Sequence, residues 1–150
     1  MKRENINLTK ISFFLLLLIL TGCSTQEPDQ QIMVLPVEVH LQDDGSKWKV
    51  NLATDQGIAK MHEIINEFQK VSSNSKEGYQ KLGEDLYATF QAIFNACDME
   101  GKGHDELHNL LTPMMGPMQR LKSCSSIEEG DNDLAAFKLQ ADAYSTYFDY

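Results

Sequence analysis

The sequence predicts an all-α protein whose domain is an up-down-up-down four-helix bundle with a kinked third helix. Three observations predict this fold. Apolar residues recur at spacings of three and four along four segments, short polar breaks separate those segments, and no solenoid repeat or Gly-rich phosphate loop is present. Amphipathic helices of this length cannot bury their apolar stripes alone, so we expect them to pack against one another.

The first 22 residues have the pattern of a signal peptide. Lys2, Arg3 and Lys10 give the chain a basic start, and residues 11–20 form an apolar core. That core is shorter than the roughly 20 apolar residues that a membrane-spanning helix needs. We therefore expect residues 1–22 to be removed, which leaves 128 residues, enough for one domain.

A lipidation motif closes this apolar core. The residues Leu20, Thr21, Gly22 and Cys23 resemble the lipobox of bacterial lipoprotein precursors. The resemblance implies cleavage ahead of Cys23 and a diacylglycerol on its sulfur, hence a lipid-anchored protein of the cell envelope. Ser24 follows; where lipoproteins are sorted by that position, the absence of Asp implies the outer membrane, with the domain facing the periplasm.

Residues 23–46 have the composition of a solvated tether that ends in a turn at 43–45. Apolar and polar residues alternate near its end, but Pro36 interrupts the run and a lone strand is unstable. We expect an extended segment that lies on the domain of residues 47–150. Trp48 is expected to cover one end of the core.

The first two predicted helices have continuous apolar stripes. The first begins near Thr54 and is about 17 residues long, and a serine-rich break at 72–75 ends it. The second runs from Gly78 to about Asp98, before a Gly-rich turn. The stripes consist of Ile58, Met61, Ile65, Phe68 and Val71 in the first helix, and of Tyr79, Leu82, Leu86, Phe90, Ile93 and Cys97 in the second.

The third and fourth helices carry breaking and capping signals. Pro113 and Pro117 interrupt the third apolar stripe, and because each lacks an amide proton we expect a kink or two short helices there. Ser126 and Glu129 fit a capping box that starts the fourth helix, although Asp131 and Asp133 would also suit a later start.

The charge of the chain excludes nucleic acid as a partner. The full sequence has 13 basic and 22 acidic residues; residues 1–22 take three basic and one acidic away, which leaves 10 and 21 and a net charge of −11. Such a surface repels phosphates. We therefore expect the lipid, rather than charge, to hold the protein at a membrane.

One stretch has the side chains of a metal site. His104 and His108 are four residues apart and share one helix face, and Cys97 and Met99 lie across a short Gly-rich turn. Sulfur favours Cu(I), and imidazole suits copper or zinc. A copper or zinc ion is thus a candidate cofactor, whereas the alternative is two exposed histidines beside core methionines.

The sequence lacks the residue patterns of two better-known metal sites, the zincin site and the haem site of cytochrome b562. In the zincin signature Glu directly follows the first His, but here Asp105 holds that position and Glu106 lies about 100° further around the helix. A cytochrome b562-like haem site would pair Met61 with a histidine of the last helix, and residues 127–150 contain none. We expect neither a metalloprotease nor a haem protein.

Lipidation of Cys23 leaves Cys97 and Cys124 as a candidate disulfide in an oxidising compartment. In an antiparallel hairpin these residues lie at opposite ends of the third helix, roughly 30 Å apart. A disulfide needs Cα atoms within about 7 Å. Either the prolines fold the third helix back, or Cys97 is free.

The stretch from Trp48 onward, with Cys-Asp-Met at 97–99 and Gly-Lys-Gly-His-Asp-Glu-Leu-His at 101–108, is similar to small helical envelope lipoproteins of uncharacterised function. The favoured interpretation is a non-enzymatic, lipid-anchored envelope protein whose small helical domain has a binding or structural role, with another envelope protein as a candidate partner. The alternatives are a periplasmic copper- or zinc-binding lipoprotein and, third, a thiol-dependent enzyme that uses Cys97 with His104.

Overall fold

The computed structural model describes residues 37–70 and 75–150, and these residues are mostly helical, which confirms the all-α class. The elements are β1 Trp48–Lys49, α1 Leu52–Gln69, α2 Lys76–Ala96, α3 Lys102–Leu111, a 3-10 turn Thr112–Met114, α4 Met115–Ser123, α5 Ile127–Tyr147 and β2 Phe148–Asp149. No helix among them is long and apolar enough to cross a membrane. The predicted signal peptide, Cys23, Ser24 and the tether up to Pro36 lie outside the described residues.

Side-chain caps set the starts of α1 and α2. The side chain of Asn51 accepts a hydrogen bond from the Thr54 amide at 2.9 Å, and the Ser75 hydroxyl accepts one from the Gly78 amide at 3.1 Å. Each helix therefore begins two residues before its predicted start. Val71 of the predicted first stripe and positions 72–74 of the predicted break lie outside the described residues. The apolar stripes are buried at Ile58, Met61 and Ile65 in α1, and at Tyr79, Leu82, Leu86, Phe90 and Ile93 in α2.

The predicted third helix is divided at Pro113. Residues 112–114 form a 3-10 turn between α3 and α4. Pro117 does not interrupt α4, because it is the third residue of that helix, where the amide has no partner within the helix. Pro113 therefore lies at the break between α3 and α4, whereas Pro117 is accommodated in the first turn of α4.

The start of α5 agrees with the predicted cap. The hydroxyl of Ser126 accepts a hydrogen bond from the Glu129 amide at 3.1 Å. The carboxylate of Glu129 accepts from the Ser125 amide at 2.6 Å, one residue earlier than in the usual capping box. The hydrogen bonds that this carboxylate accepts from the amide and the hydroxyl of Ser125 lower the pKa of Glu129.

Helix α2 contacts α1, α4 and α5, and a glycine lies at each of these contacts, with Gly57 of α1 placed against Ile93 of α2. A Cβ placed on Gly83 would lie 2.6 Å from the backbone nitrogen of Lys122 in α4. A Cβ on Gly130 of α5 would lie 2.4 Å from the ring of Tyr79 in α2. Both distances are far below van der Waals contact, so only glycine fits at these positions.

The segments before α1 and after α5 lie side by side. Strands β1 and β2 are parallel with Trp48 opposite Phe148, and the Val50 amide donates to the Asp149 carbonyl at 3.0 Å. Trp48 packs against the core, as predicted. Residues 37–42 form no helix or strand, and Val39 is only 5% exposed, so the end of the tether lies on the domain.

Candidate functional site

The start of α3 brings the two predicted metal-ligating histidines together. Both side chains are half-buried, and their Nε2 atoms are 2.9 Å apart with ring centroids 4.5 Å apart. The helix begins after Gly101, whose φ of 72° lies in the left-handed region that glycine adopts without strain. His104 and His108 then point to the same side because they are separated by about one helical turn.

An aromatic side chain from α2 lies against this pair. The ring of Phe94 meets the imidazole of His108 edge to face, with centroids 5.2 Å apart and an interplanar angle of 86°. Phe94 also contacts Phe90, with centroids 4.7 Å apart. The histidine pair is therefore open to solvent on one side and bordered by an aromatic ring on the other.

The two sulfur-containing side chains predicted for the same site pack against the hydrophobic core. Cys97 ends α2, and both Cys97 and Met99 are half-buried and pack against the hydrophobic core. Within residues 37–70 and 75–150, no three His, Cys, Asp or Glu side chains are grouped closely enough to hold a metal ion. The structure thus brings together His104 and His108 but does not add Cys97 to them.

The candidate disulfide is not formed, and both thiols are free. Cys124 is 3% exposed and its Sγ lies 3.8 Å from the carbonyl of Lys76, at the first residue of α2. Cys97 lies at the other end of this 21-residue helix, about 30 Å away at 1.5 Å per residue. The helix separates the sulfurs, and burial raises the pKa of the Cys124 thiol.

A second histidine site, which the sequence analysis did not identify, lies between α1 and α5. A cleft of about 510 Å³ is bordered by His62, whose Nε2 is 3.1 Å from Asp142 and whose Nδ1 is 3.0 Å from the carbonyl of Ile58. Ser145 lines the same cleft. Because both ring nitrogens are engaged, His62 has no free nitrogen to accept the proton of Ser145, and the group is not arranged as a nucleophile with its base.

The floor of this cleft contains a buried phenol. Tyr144 is 6% exposed, and its hydroxyl donates to Asp55 of α1 at 3.1 Å. Burial and this hydrogen bond raise the pKa of Tyr144 well above its usual range. No spacing in the sequence could have identified these pairs, because 89 positions separate Tyr144 from Asp55 and 80 separate His62 from Asp142.

The other face of α3 borders an acidic groove of about 710 Å³. Its lining includes the carboxylates of Asp43, Asp44, Asp105 and Glu106. Glu106 accepts a hydrogen bond from the His40 amide at 3.0 Å, so its carboxylate is directed to the tether segment.

Comparison of the chain with protein-family models, with curated proteins and with solved structures finds no match. The functional proposals below therefore depend on the sequence motifs and on the geometry described above.

Proposed function

We propose that this chain is a lipid-anchored protein of the cell envelope whose helical domain is non-enzymatic and binds a protein partner or supports a complex. The observation that carries the proposal is the run Leu20, Thr21, Gly22 and Cys23 at the end of an apolar segment with a basic start. A diacylglycerol on Cys23 would attach the domain to a membrane through the segment that leads to Val37. Each buried CH₂ of such a lipid adds about 0.8 kcal/mol of membrane affinity.

The two histidine sites support a binding rather than a catalytic role. His62 makes hydrogen bonds with both ring nitrogens, and His104 and His108 face each other. Cys97, the thiol of the enzymatic alternative, packs against the core. These contacts stabilise the domain and leave no activated nucleophile in either place.

The lipid is tested by labelling cells that express the full chain with a radioactive fatty acid such as palmitate. We expect label in the wild type and in Cys97→Ser, and none in Cys23→Ser. Cys97→Ser is the matched control because it removes one thiol and leaves the lipobox intact. Mass spectrometry that found an intact leader, or a bare thiol on residue 23, would refute the proposal.

We further propose that the protein resides in the outer membrane, facing the periplasm, in a cell that has two membranes. Ser24 supports this location because the position after the lipidated cysteine sorts lipoproteins in such cells. Fractionation should find the wild type in outer membranes and Ser24→Asp in inner membranes. Equal distribution of the two proteins would count against sorting by residue 24.

The partner is proposed to be another envelope protein, not a nucleic acid. The net charge of −11 expected after loss of residues 1–22 supports this choice, because it disfavours contact with phosphates. Crosslinking in cells followed by purification of the full chain should recover one protein partner reproducibly. Recovery of the uncrosslinked chain alone would contradict the binding role.

For the domain we propose the up-down-up-down four-helix arrangement, in which α3 and α4 together form the kinked third leg. The contacts of α1 with α2, of α2 with α4, and of α4 with α5 support this order. Nuclear Overhauser contacts between Gly83 and Leu121 are expected in this arrangement. Their absence, with α2 and α4 both helical, would require another topology.

Metal binding is the second candidate function, for copper or zinc. The specific observation that favours it is the 2.9 Å separation of the two Nε2 atoms of His104 and His108. A test is calorimetric titration of the full chain, purified without a histidine tag, with Cu(II), Zn(II) and Cu(I). Failure of all three ions to bind would eliminate this candidate and leave the lipid-anchored proposal untouched.

A further inference from the structure

We propose that His104 and His108 form a two-nitrogen chelate for Cu(II), in place of the sulfur-containing site for which the sequence offered Cys97 and Met99. The proposal rests on the metal-binding candidate function and makes it specific. It names the oxidised copper ion, the two donor atoms and a square-planar or tetragonal geometry. Three features of the structure support it.

The first feature is the distance between the two donor atoms. When a metal ion lies about 2.05 Å from each of two imidazole nitrogens that are 2.9 Å apart, the nitrogen–metal–nitrogen angle is about 90°. A tetrahedral ion at the same bond length needs the nitrogens about 3.3 Å apart. An angle near 90° is the one between neighbouring ligands of Cu(II) in square-planar or tetragonal sites. The separation of the two Nε2 atoms therefore matches neighbouring ligands of Cu(II) more closely than tetrahedral ligands of Zn(II).

The second feature is the chemistry of the available donors. Cys97 and Met99 pack against the core, and the described ranges 37–70 and 75–150 offer no third His, Cys, Asp or Glu beside the pair. Two imidazoles without a thiolate favour Cu(II) over Cu(I). The remaining coordination positions then belong to water or to a group that a partner supplies, so the site exchanges its ion more readily than a closed four-ligand site.

The third feature is the weak start of α3. Its N-cap is Gly101, which makes no side-chain capping hydrogen bond. An ion held by residues 104 and 108 connects adjacent turns of this helix, so binding stabilises the helix. The edge of Phe94 against His108 restricts the rotation of that imidazole and helps to fix the geometry of the pair.

The same distance between the nitrogens also suits a hydrogen bond between two neutral rings, and the test separates the two cases. The full chain is purified in detergent without a histidine tag and titrated with Cu(II), Zn(II) and, under anaerobic conditions, Cu(I). We expect one equivalent of Cu(II) with a tetragonal electron paramagnetic resonance spectrum that shows coupling to two nitrogens. We also expect Cu(II) to raise the melting temperature.

Matched variants assign the ligands. His104→Gln and His108→Gln should each lower the Cu(II) affinity by at least about tenfold and abolish the rise in melting temperature, since loss of a mere hydrogen-bond partner of a ligand already costs about 10–100-fold and loss of a ligand costs at least as much. His62→Gln removes a histidine outside the pair. Cys97→Ser removes the thiol that the sequence predicted as a metal ligand. Both controls should bind Cu(II) as the wild type does. Circular dichroism confirms that each variant is folded.

Three results would overturn the inference, and they differ in what they leave standing. Cu(II) binding that survives both substitutions in the pair shows that other residues hold the ion. A tight Cu(I) site that is lost in Cys97→Ser refutes the Cu(II) assignment but keeps the metal-binding candidate. If no ion binds, both fail, and the histidines form only the hydrogen bond.

Discussion

The two histidine sites of this domain are built in opposite ways. His104 and His108 meet because they are four residues apart on one helix, whereas His62 meets Asp142 across 80 positions of sequence. The first pair needs only α3 to be helical. The second exists only where α1 and α5 are packed together. A site within one helical turn is thus a property of local sequence, whereas a site between helices is a property of the whole domain.

The largest effect on stability is expected from a substitution that disturbs the packing between helices. In Gly83→Ala the new methyl group would meet the backbone of Lys122, which cannot rotate away as a side chain can. Overpacking of this kind costs about 1–3 kcal/mol, against about 1 kcal/mol that Ala gains over Gly in a helix. We expect the free energy of unfolding, measured by urea titration, to fall by up to about 2 kcal/mol, the difference between these two effects.

The control for this change is Gly116→Ala in α4. There the nearest atom is the guanidinium nitrogen Nη1 of Arg120, 3.3 Å from the new Cβ and at the end of a flexible side chain. Unfolding of Gly116→Ala should need as much urea as the wild type, or more. Equal stability of the Gly83 and Gly116 variants would show that α2 and α4 are not in close contact at Gly83.

A smaller effect is expected from the phenol in the cleft between α1 and α5. Tyr144→Phe removes the hydrogen bond to Asp55, and the loss of one such bond costs about 1 kcal/mol. The pKa of Tyr144 is raised in the folded state, so the unfolded chain loses the phenol proton first as the pH rises. Stability of the wild type should therefore decline above about pH 10, the ordinary value for tyrosine.

Urea unfolding at pH 8 and pH 11 measures this contribution. Tyr144→Phe should lose less stability between the two pH values than the wild type does, because it lacks the titrating phenol. Tyr150→Phe is the control, since Tyr150 is 64% exposed. A decline of the same size in the wild type and in Tyr144→Phe would contradict the role of the buried phenol.

The smallest effects compare the two histidine sites directly through double-mutant cycles. The cycle of His62→Gln with Asp142→Asn should give a coupling of about 0.5 kcal/mol that weakens in salt, because Asp142 is largely exposed. The cycle of His104→Gln with His108→Gln, in the presence of a metal chelator, should give about 0.2–0.5 kcal/mol. A coupling above that range for the second pair without metal would mean that it is mainly structural.

The helices and their caps could be predicted from sequence because their causes are local. Spacings of three and four placed the buried stripes of α1 and α2, and the hydroxyl of Ser126 followed by Glu129 marked the start of α5. Pro113 marked the interruption after α3. Helices α1 and α2 begin two residues before their predicted starts, because the capping side chains of Asn51 and Ser75 fix where each helix begins.

The sequence predicted correctly only the part of the candidate metal site that lies within one helix. The i, i+4 spacing of His104 and His108 placed both rings on one side, but proximity in sequence did not group Cys97 with them, and Cys97 and Met99 both pack against the core. These two side chains gain more by packing against the core, because burial of apolar surface is favourable and a Gly-rich turn does not fix their direction. The candidate disulfide was unformed for a similar reason, since α2 holds its two cysteines at opposite ends.

The sequence alone determined the all-α class, the stripes that face the core, the capped start of α5 and the shared face of His104 and His108, because each depends on residues within one or two helical turns. Only the tertiary structure decided that Gly83 lies against the backbone of α4, that Gly130 lies on the ring of Tyr79, and that His62 meets Asp142. These contacts join residues far apart along the chain. Their positions depend on how whole helices pack, and packing optimises the entire core at once.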